Sequence, residues 1–372
     1  MRILFDYRPA LRRRTGVGEY VHETAKALVA SAPADERLTL FSSSWKDRLA
    51  PESLPGTEVV DRRLPVRLLH LLWHRLEWPP AEWLAGAGFD VAHAAHPLLM
   101  PSRRMARLVT IYDLDFLDAP ERTTAEIRRD YPLLAADHAR RADHIVVISS
   151  HTAEAVERRL AVPRSHISIC RPGAPAWPRR DWEPAEGGCI LFLGTLEPRK
   201  NLEVLLDAYA SMLTSDPQTP PLVLAGSVPA SAERLVRRTK EHPLAGHVEL
   251  PGYVSDADKV ALFRRALVFV MPSHGEGFGL PAAEAMAVGV PVVAANRGAL
   301  PETVGSAGRL VSPDNPAALA EALTTVLGDS SIRQQMREAG WAQVEQFTWA
   351  RTAAGVRDAW QHAVDHRAGR RG

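Results

Sequence analysis

Residues 266 to 288 constrain the fold of this chain more than any other stretch. Ala266-Leu-Val-Phe-Val-Met271 is a short apolar run, β-branched in part, which reads as a strand covered on both faces. It leads into His274-Gly275-Glu276-Gly277-Phe278-Gly279-Leu280-Pro281-Ala282-Ala283-Glu284. Gly275, Gly277 and Gly279 open the backbone to close approach, and Pro281 suits a first helical position, so the pattern predicts a strand, a turn and a helix beginning at Pro281. A helix start leaves N–H groups unpaired and carries the positive end of the helix dipole, so this junction welcomes an anion. Glu276 falls in the turn and Glu284 in the first helical turn, two carboxylates able to accept hydrogen bonds from hydroxyl groups.

The same alternation runs through the chain. In the first half, strand-like segments are Arg2 to Tyr7, Leu38 to Ser42, Asp90 to Ala94, Leu108 to Tyr112 and His144 to Ser149, with helical spacing at Glu19 to Ala30 and Thr124 to Arg141. In the second, strands fall at Cys189 to Leu193, Leu222 to Ala225, His247 to Leu250, Leu267 to Met271 and Pro291 to Ala295, with helices near Asn201 to Leu213, Asp256 to Arg265 and Pro281 to Val288. Alternating strands and helices predict parallel sheets in an α/β fold. With 372 residues the chain exceeds one ordinary core. The linker is placed at Arg171-Pro-Gly-Ala-Pro-Ala-Trp-Pro178, continuing to Gly187-Gly188, where neither helix nor interior strand is plausible. Domains are therefore expected at residues 1–172 and 173–346, with a further helical pattern, Thr348 to Ala363, within residues 347–372. The last residues, Arg367 to Gly372, are expected to fray.

Composition excludes several classes. The formal net charge is +1, with 25 basic and 22 acidic residues in 1–172 and 20 against 22 in the rest, so no nucleic-acid partner is indicated. Cys170 and Cys189 are the two cysteines, too few for a disulfide framework and too far apart for a CxxC site, in keeping with a reducing cytoplasm. The opening Met1-Arg-Ile-Leu-Phe-Asp6 is cut by an acid before a secretory apolar region could form, and no run of eighteen apolar residues occurs. Arginine outnumbers lysine 40 to 5, so each lysine, Lys200 in particular, stands out.

The Glu276 to Glu284 segment resembles the E-x7-E signature of retaining glycosyltransferases of the GT-B fold, specifically family 4. The resemblance continues through Gly194-Thr-Leu-Glu-Pro-Arg199-Lys200-Asn201 and Ala294-Ala-Asn-Arg-Gly298-Ala-Leu-Pro-Glu302, and more loosely through Arg2 to Tyr7 and Gly16-Val17-Gly18, so it spans nearly the whole chain. It implies two Rossmann-like doubly wound domains facing across a cleft, a C-terminal helix crossing back to the first domain, and a nucleotide-sugar donor.

A diphosphate leaving group needs cations. Arg199 and Lys200 follow a strand, with Asn201 suited to cap the next helix, and they are the candidates. The resemblance implies that Glu284 holds the ribose hydroxyls and Glu276 the far side of the donor sugar, and that main-chain N–H groups of Phe278, Gly279 and Leu280 beside Gly277 meet sugar or phosphate. The Phe278 side chain is read as packing. Gly194, Gly226 and Val254 lie on loops expected to carry the donor, the last two beside the base. Thr15, Gly16, Val17 and Gly18 form an expected acceptor and phosphate loop, equally readable as an ordinary strand-to-helix turn. Relatives carry His-Asp where this chain has Tyr112-Asp113; Asp113 is placed to orient an acceptor hydroxyl or to cap a helix, and Tyr112 offers a phenol in place of the imidazole. No metal is required: Asp113-Leu-Asp115 is a chance match to DxD, and His93 and His96, three apart on a strand, would face opposite sides.

Pro120-Glu-Arg122, Arg140-Arg-Ala-Asp143 and Ser149-Ser150-His-Thr152 are similar to a subgroup rich in mannosyltransferases of polysaccharide and O-antigen assembly. GDP-mannose is the favoured donor, with a glycan or lipid-linked acceptor and no further cofactor. Alternatives are a UDP-sugar-dependent transferase, a nucleotide-sugar epimerase of the same fold, or a non-catalytic sugar-nucleotide or glycan binder. Residues 62–83, with Arg62, Arg63, Arg67 and Arg75 among leucines, Trp73, Trp78 and Trp83, suit peripheral contact with the inner face of the cytoplasmic membrane. The competing reading buries Leu68, Leu71, Leu72 and Trp73 in a core of their own. Nothing in the sequence speaks to oligomeric state.

Overall fold

The computed structural model describes every residue except 12, 13, 15, 119, 121–124, 185, 186, 371 and 372, and leaves undescribed the side chains of residues 51, 125–127 and 130. Thr15, Glu121, Arg122 and Thr124, singled out above, lie outside the described residues. The chain divides into two units, Met1–Gly173 with Thr348–Gly372, and Ala174–Phe347.

Unit 1 holds a seven-stranded sheet: β1 (Arg2–Asp6), β2 (Arg37–Ser43), β3 (Glu58–Arg62), β4 (Val91–Ala94), β5 (Ala106–Ile111), β6 (His144–Val147) and β7 (Ile167–Ile169), in the order β3-β2-β1-β4-β5-β6-β7. Every neighbouring pair is parallel. The central strands β4 and β6 are buried at every position, as a sheet covered on both faces requires. One face is filled by Leu4, Phe41, Trp73, Val109 and Ile145, the other by Ile3, Phe5, Val91, Leu108 and the C-terminal helix Trp349–Gly369. That helix is capped by Thr348 Oγ1, which accepts from the Arg351 N–H at 3.2 Å, and it buries Ala353, Val356, Ala359, Trp360 and Ala363. Trp360 Nε1 donates to His93 Nδ1 at 3.0 Å, tying the helix to β4. Fraying from Arg367 is corrected: the helix runs to Gly369 because the Arg367 guanidinium donates to the carbonyls of Arg103 and Arg104 and pairs with Asp143 at 3.2 Å.

Unit 2 has six parallel strands, β8 (Cys189–Leu193), β9 (Leu222–Ala225), β10 (Val248–Gly252), β11 (Ala266–Met271), β12 (Val292–Ala295) and β13 (Arg309–Val311), in the order β10-β9-β8-β11-β12-β13. In each unit the order reverses beside the first strand, between β1 and β4 and between β8 and β11, which sets a crevice outside the carboxyl ends of those strands. The expected linker is not free connection throughout. Arg180 is wholly buried, its Nη1 donating to the carbonyls of Arg264 and Ala266 at 2.7 and 2.8 Å, where the helix Asp256–Arg265 ends and its last carbonyls need donors. Burial lowers the Arg180 pKa to about 10.

Candidate functional site

The donor-side candidates converge at the β8/β11 switch point of unit 2. After β11 the chain passes through residues 272–279 into the helix Leu280–Val288. The helix begins one residue before the expected Pro281, because Gly279 takes the N-cap position at φ +94°, a left-handed conformation open to glycine. A Cβ there would also lie 2.7 Å from Leu300 Cδ2. Glu284 is thus the fifth helical residue, just beyond the first turn. After β8, Gly194 leads to the 3-10 turn Pro198–Lys200. Asn201 stands at the N-cap of Leu202–Ser215 but does not cap it. Its Nδ2 donates instead to the carbonyls of Pro272 and Pro313 at 3.0 and 2.7 Å, pinning the cationic turn to the segment after β11. The His274 N–H to Arg199 carbonyl bond, 2.8 Å, adds a second tie.

These ties bring three of the predicted residues into contact. Lys200 Nζ lies 2.6 Å from Glu276 Oε1, and Arg199 Nη1 lies 3.5 Å from Oε2 and 3.2 Å from the Gly275 carbonyl. Lys200 and Glu276 are 8% and 7% exposed, so the pair is largely desolvated. Burial alone would raise the Glu276 pKa; the charges of Lys200 and Arg199 and the Lys200 hydrogen bond outweigh it, and the net shift is downward. Glu276 is an anion held between two cations.

Glu284 has a partner that sequence reading missed. Lys259, on the helix Asp256–Arg265, places Nζ 2.8 Å from Glu284 Oε1 and 5.0 Å from the centre of the Trp177 ring. Both acids therefore stand against lysines. The signal was present in composition, since Lys259 is one of only 5 lysines beside 40 arginines.

The Phe278 side chain is buried and packs edge-on against Phe347 with ring centres 5.1 Å apart, while its carbonyl accepts from Thr303 Oγ1 at 2.5 Å. Gly277 and Leu280 flank it in the turn and at the helix start. Gly226 is required for backbone crossing: at φ +148° a Cβ would lie 1.9 Å from the Gly194 carbonyl oxygen. Val254 is half-buried and Tyr253 exposed, just beyond β10.

In unit 1, Gly16, Val17 and Gly18 are the first turn of the helix Gly16–Ala30, not a loop ahead of it. Gly18 is tight against the backbone of the 3-10 turn Arg8–Ala10, a Cβ there falling 2.7 Å from the Pro9 carbonyl oxygen. Tyr112 follows β5; its hydroxyl donates to the Ala95 carbonyl at 3.3 Å, and burial pushes its pKa well above the ordinary value, so the phenol is neutral. Asp113 Oδ1 accepts from the Asp115 N–H at 3.2 Å, at the start of the short helix Asp115–Asp118. His93 and His96 do diverge, but His96 lies beyond the end of β4, so strand alternation is not the cause: His93 meets Trp360 and Thr110, whereas His96 meets Arg8. Among the described residues, no three or more His, Cys, Asp or Glu are grouped to hold a metal ion, and no helix is long and apolar enough to cross a membrane.

The sequence profile "Glycosyl transferases group 1" matches residues 177–343, almost the whole of unit 2, and "Glycosyltransferase Family 4" matches residues 14–176. The chain belongs to glycosyltransferase family 4. It is 28% identical over 374 residues to the O-antigen chain mannosyltransferase B of Escherichia coli, covering 94% of this chain and 96% of that protein. It is 34% identical over 166 residues to the serotype-specific mannosyltransferase WbdA of the same species, a match that takes in 44% of this chain and 20% of WbdA. Sucrose-phosphate synthase from Thermosynechococcus elongatus superposes with a TM-score of 0.79 over 97% of this glycosyltransferase and 98% of that chain at 21% identity, which establishes the GT-B architecture. The chain is a hexosyltransferase by family, with a donor and a glycan acceptor as its class of substrates.

Proposed function

We propose that this glycosyltransferase moves mannose from GDP-mannose to a glycan or lipid-linked acceptor in cell-surface polysaccharide assembly, with retention at the anomeric carbon and no metal ion or further cofactor. The observation that carries the reading is the buried contact of Glu276 with Lys200 at the β8/β11 switch point. A carboxylate and an ammonium at one point match a sugar diphosphate, whose hydroxyls donate to the first and whose phosphate oxygens accept from the second. Likeness to two mannosyltransferases favours mannose. Glu284, held by Lys259, accepts from the ribose diol through its remaining lone pairs, and the N–H groups at the start of Leu280–Val288 face the diphosphate.

In the reaction, the bond from the anomeric carbon to the phosphate oxygen breaks, and a bond to the acceptor hydroxyl oxygen forms on the same face. The hydroxyl proton passes to the departing phosphate oxygen, so no protein base is consumed. Lys200 and Arg199 stabilise the charge that grows on the diphosphate. The donor occupies unit 2 and the acceptor unit 1, where Asp113 and the Gly16 to Gly18 turn border its site. Peripheral membrane contact through residues 62–83 is part of the same reading and suits a lipid-linked acceptor.

A nucleotide-sugar panel read by thermal shift, followed by product mass spectrometry and anomeric NMR, tests it. A GDP-selective response with an α-linked product from an α-linked donor is expected. A UDP-selective response overturns the donor, an inverted product overturns retention, and isomerisation of donor alone assigns an epimerase.

A further inference from the structure

Unit 1 has a switch point of its own, between β1 and β4, and a polar cluster fills it. Asp6, the last residue of β1, is wholly buried and grips Arg8 through Nε at 2.8 Å and Nη2 at 2.9 Å. The Arg8 guanidinium lies over the Trp73 ring, 5.3 Å from its centre. His96, just past β4, sets Nε2 3.0 Å from Arg8 Nη2 and 3.3 Å from Asp6 Oδ2. His74, in the π-helical turn Leu72–Leu76, stacks on His70 at 4.9 Å and meets His96 and His138 edge-on at 5.7 and 6.4 Å.

Two atoms of this cluster are enclosed without a hydrogen-bond partner, Arg8 Nη1 and His74 Nε2. The Arg8 side chain is 7% exposed and the His74 residue 5%. Orphaned polar atoms of this kind are rare in folded proteins and call for a partner that arrives from outside. The charges decide what that partner is. Asp6 cancels Arg8, and burial foremost, with neighbouring cationic and imidazole groups, lowers the His74 pKa to about 2 and that of His96 well below its ordinary value, so the rings are neutral. Asp6 and Arg8 sum to zero, and among the described residues of the cluster an incoming anion would meet Asp6 with no spare cation to hold it. Hydroxyls suit both orphans: a hydroxyl accepts from Arg8 Nη1–H, and a hydroxyl donates to His74 Nε2 in the tautomer protonated at Nδ1.

We infer that the carboxyl end of the β1/β4 pair is a recognition site for the hydroxyls of a neutral saccharide, the terminal sugar of the acceptor, and that it discriminates against anionic sugars. The inference rests on the glycosyl-transfer reading above for the identity of that sugar. His70 and His96 are the partly exposed members, so the sugar enters past their rings and displaces His70 from its stack on His74.

Imidazole 15N NMR of the full chain without donor tests the site directly. A neutral manno-oligosaccharide is expected to shift the His74 and His96 signals, leaving His144, on β6, as an unmoved internal reference; an oligoglucuronate and inorganic phosphate are expected to leave all three in place. Shifts with the anions alone, equal movement of His144, or no movement with the saccharide would overturn the site. His74→Gln is expected to raise the acceptor KM about ten-fold or more while the donor KM stays within about two-fold, since lost hydroxyl contacts act on the acceptor alone. Equal change in both constants overturns the assignment. Failure of the transfer reading shows separately, as absence of nucleotide-sugar turnover in the unaltered protein, and does not alter the NMR outcome.

Discussion

The two switch points are built alike and charged differently. At β8/β11, both glutamates are paired with lysines, and three of the four partners come from two short stretches of chain. At β1/β4, one ion pair is sealed by Asp6 and the rest are imidazoles drawn from three separated stretches of the sequence, His70 with His74, His96 and His138. A diphosphate demands fixed charge, and each carboxylate here meets an ammonium from another stretch of chain, 76 positions away for Lys200 and 25 for Lys259. A neutral ligand demands directional hydrogen bonds, which side chains can supply from anywhere the fold delivers them.

Acid should separate the units most strongly. Burial holds His74 at about 2, His93 at about 3 and His144 at about 4, all three in unit 1, so they stay neutral in the fold where the unfolded chain takes up protons below about 6.5. Through these three alone the unfolded state takes up three more protons, and stability falls as pH drops through 6.5 toward 4, by about 4 kcal/mol per pH unit at the steepest. Glu276 in unit 2 has the opposite shift: its stabilisation is present above the ordinary carboxylate value and goes only as pH falls through its lowered one. Limited proteolysis between pH 7 and 4.5 should therefore cut unit 1 while a fragment near residues 174–347 survives. Loss of unit 2 first would break the contrast.

Next in size is Lys200→Ala. Turnover at saturating donor and acceptor should fall by about 10²–10³, the scale of a lost transition-state electrostatic contact. Stability should fall as well, because Glu276 is left buried with Arg199 alone at 3.5 Å, and breaking a buried pair costs about 3–5 kcal/mol. The double variant Lys200→Met, Glu276→Gln separates the two effects: melting temperature should recover and turnover should not. Near-normal turnover in the single variant would remove the cations from the mechanism. Glu284→Ala is milder, weakening donor binding by about ten-fold to a hundred-fold by calorimetry, the worth of hydrogen bonds to a charged group. An unchanged donor affinity would mean that Glu284 serves only to hold Lys259.

How much of this was legible follows the same division. The β8 to β11 site could be read because its strand, glycines, proline and acids are contiguous, and ten of the strands declared themselves as apolar runs. The strands β3, β7 and β13 did not, since each lies at a sheet edge and is half exposed, so no continuous hydrophobic run marks it. Asn201 looked like a helix cap because capping is its commonest use, yet tertiary carbonyls claimed its amide. Arg180 and the imidazole cluster were illegible for a shared reason: their partners lie some 80 positions away or on several elements, and no local pattern encodes a contact of that kind.

The smallest expected effect concerns the surface of unit 1. Of the leucines and tryptophan that could have filled a core of their own, Trp73 is fully buried, but Leu68 and Leu71, three apart and so on one helical face, are 46% and 53% exposed. Leu76, Trp78 and Trp83 are exposed too, the last two in ring contact at 6.0 Å, with exposed Arg63, Arg67 and Arg75 in the same stretch. In unit 2 the large exposed apolar side chains, Trp182, Val228 and Tyr253, come from three separate stretches of chain. A clustered apolar surface rimmed by guanidinium groups suits an anionic bilayer, and each arginine there is worth about 1 kcal/mol. Arg67→Gln with Arg75→Gln should thus lower co-sedimentation with vesicles containing anionic lipid by about 25-fold, and 0.5 M salt should mimic the change. Leu71→Ser with Trp83→Ser should weaken binding at any salt concentration, because that part comes from apolar burial. Vesicle binding indifferent to all four substitutions would leave the exposed leucines without a lipid partner, and the contrast between the units would then lie at their switch points alone.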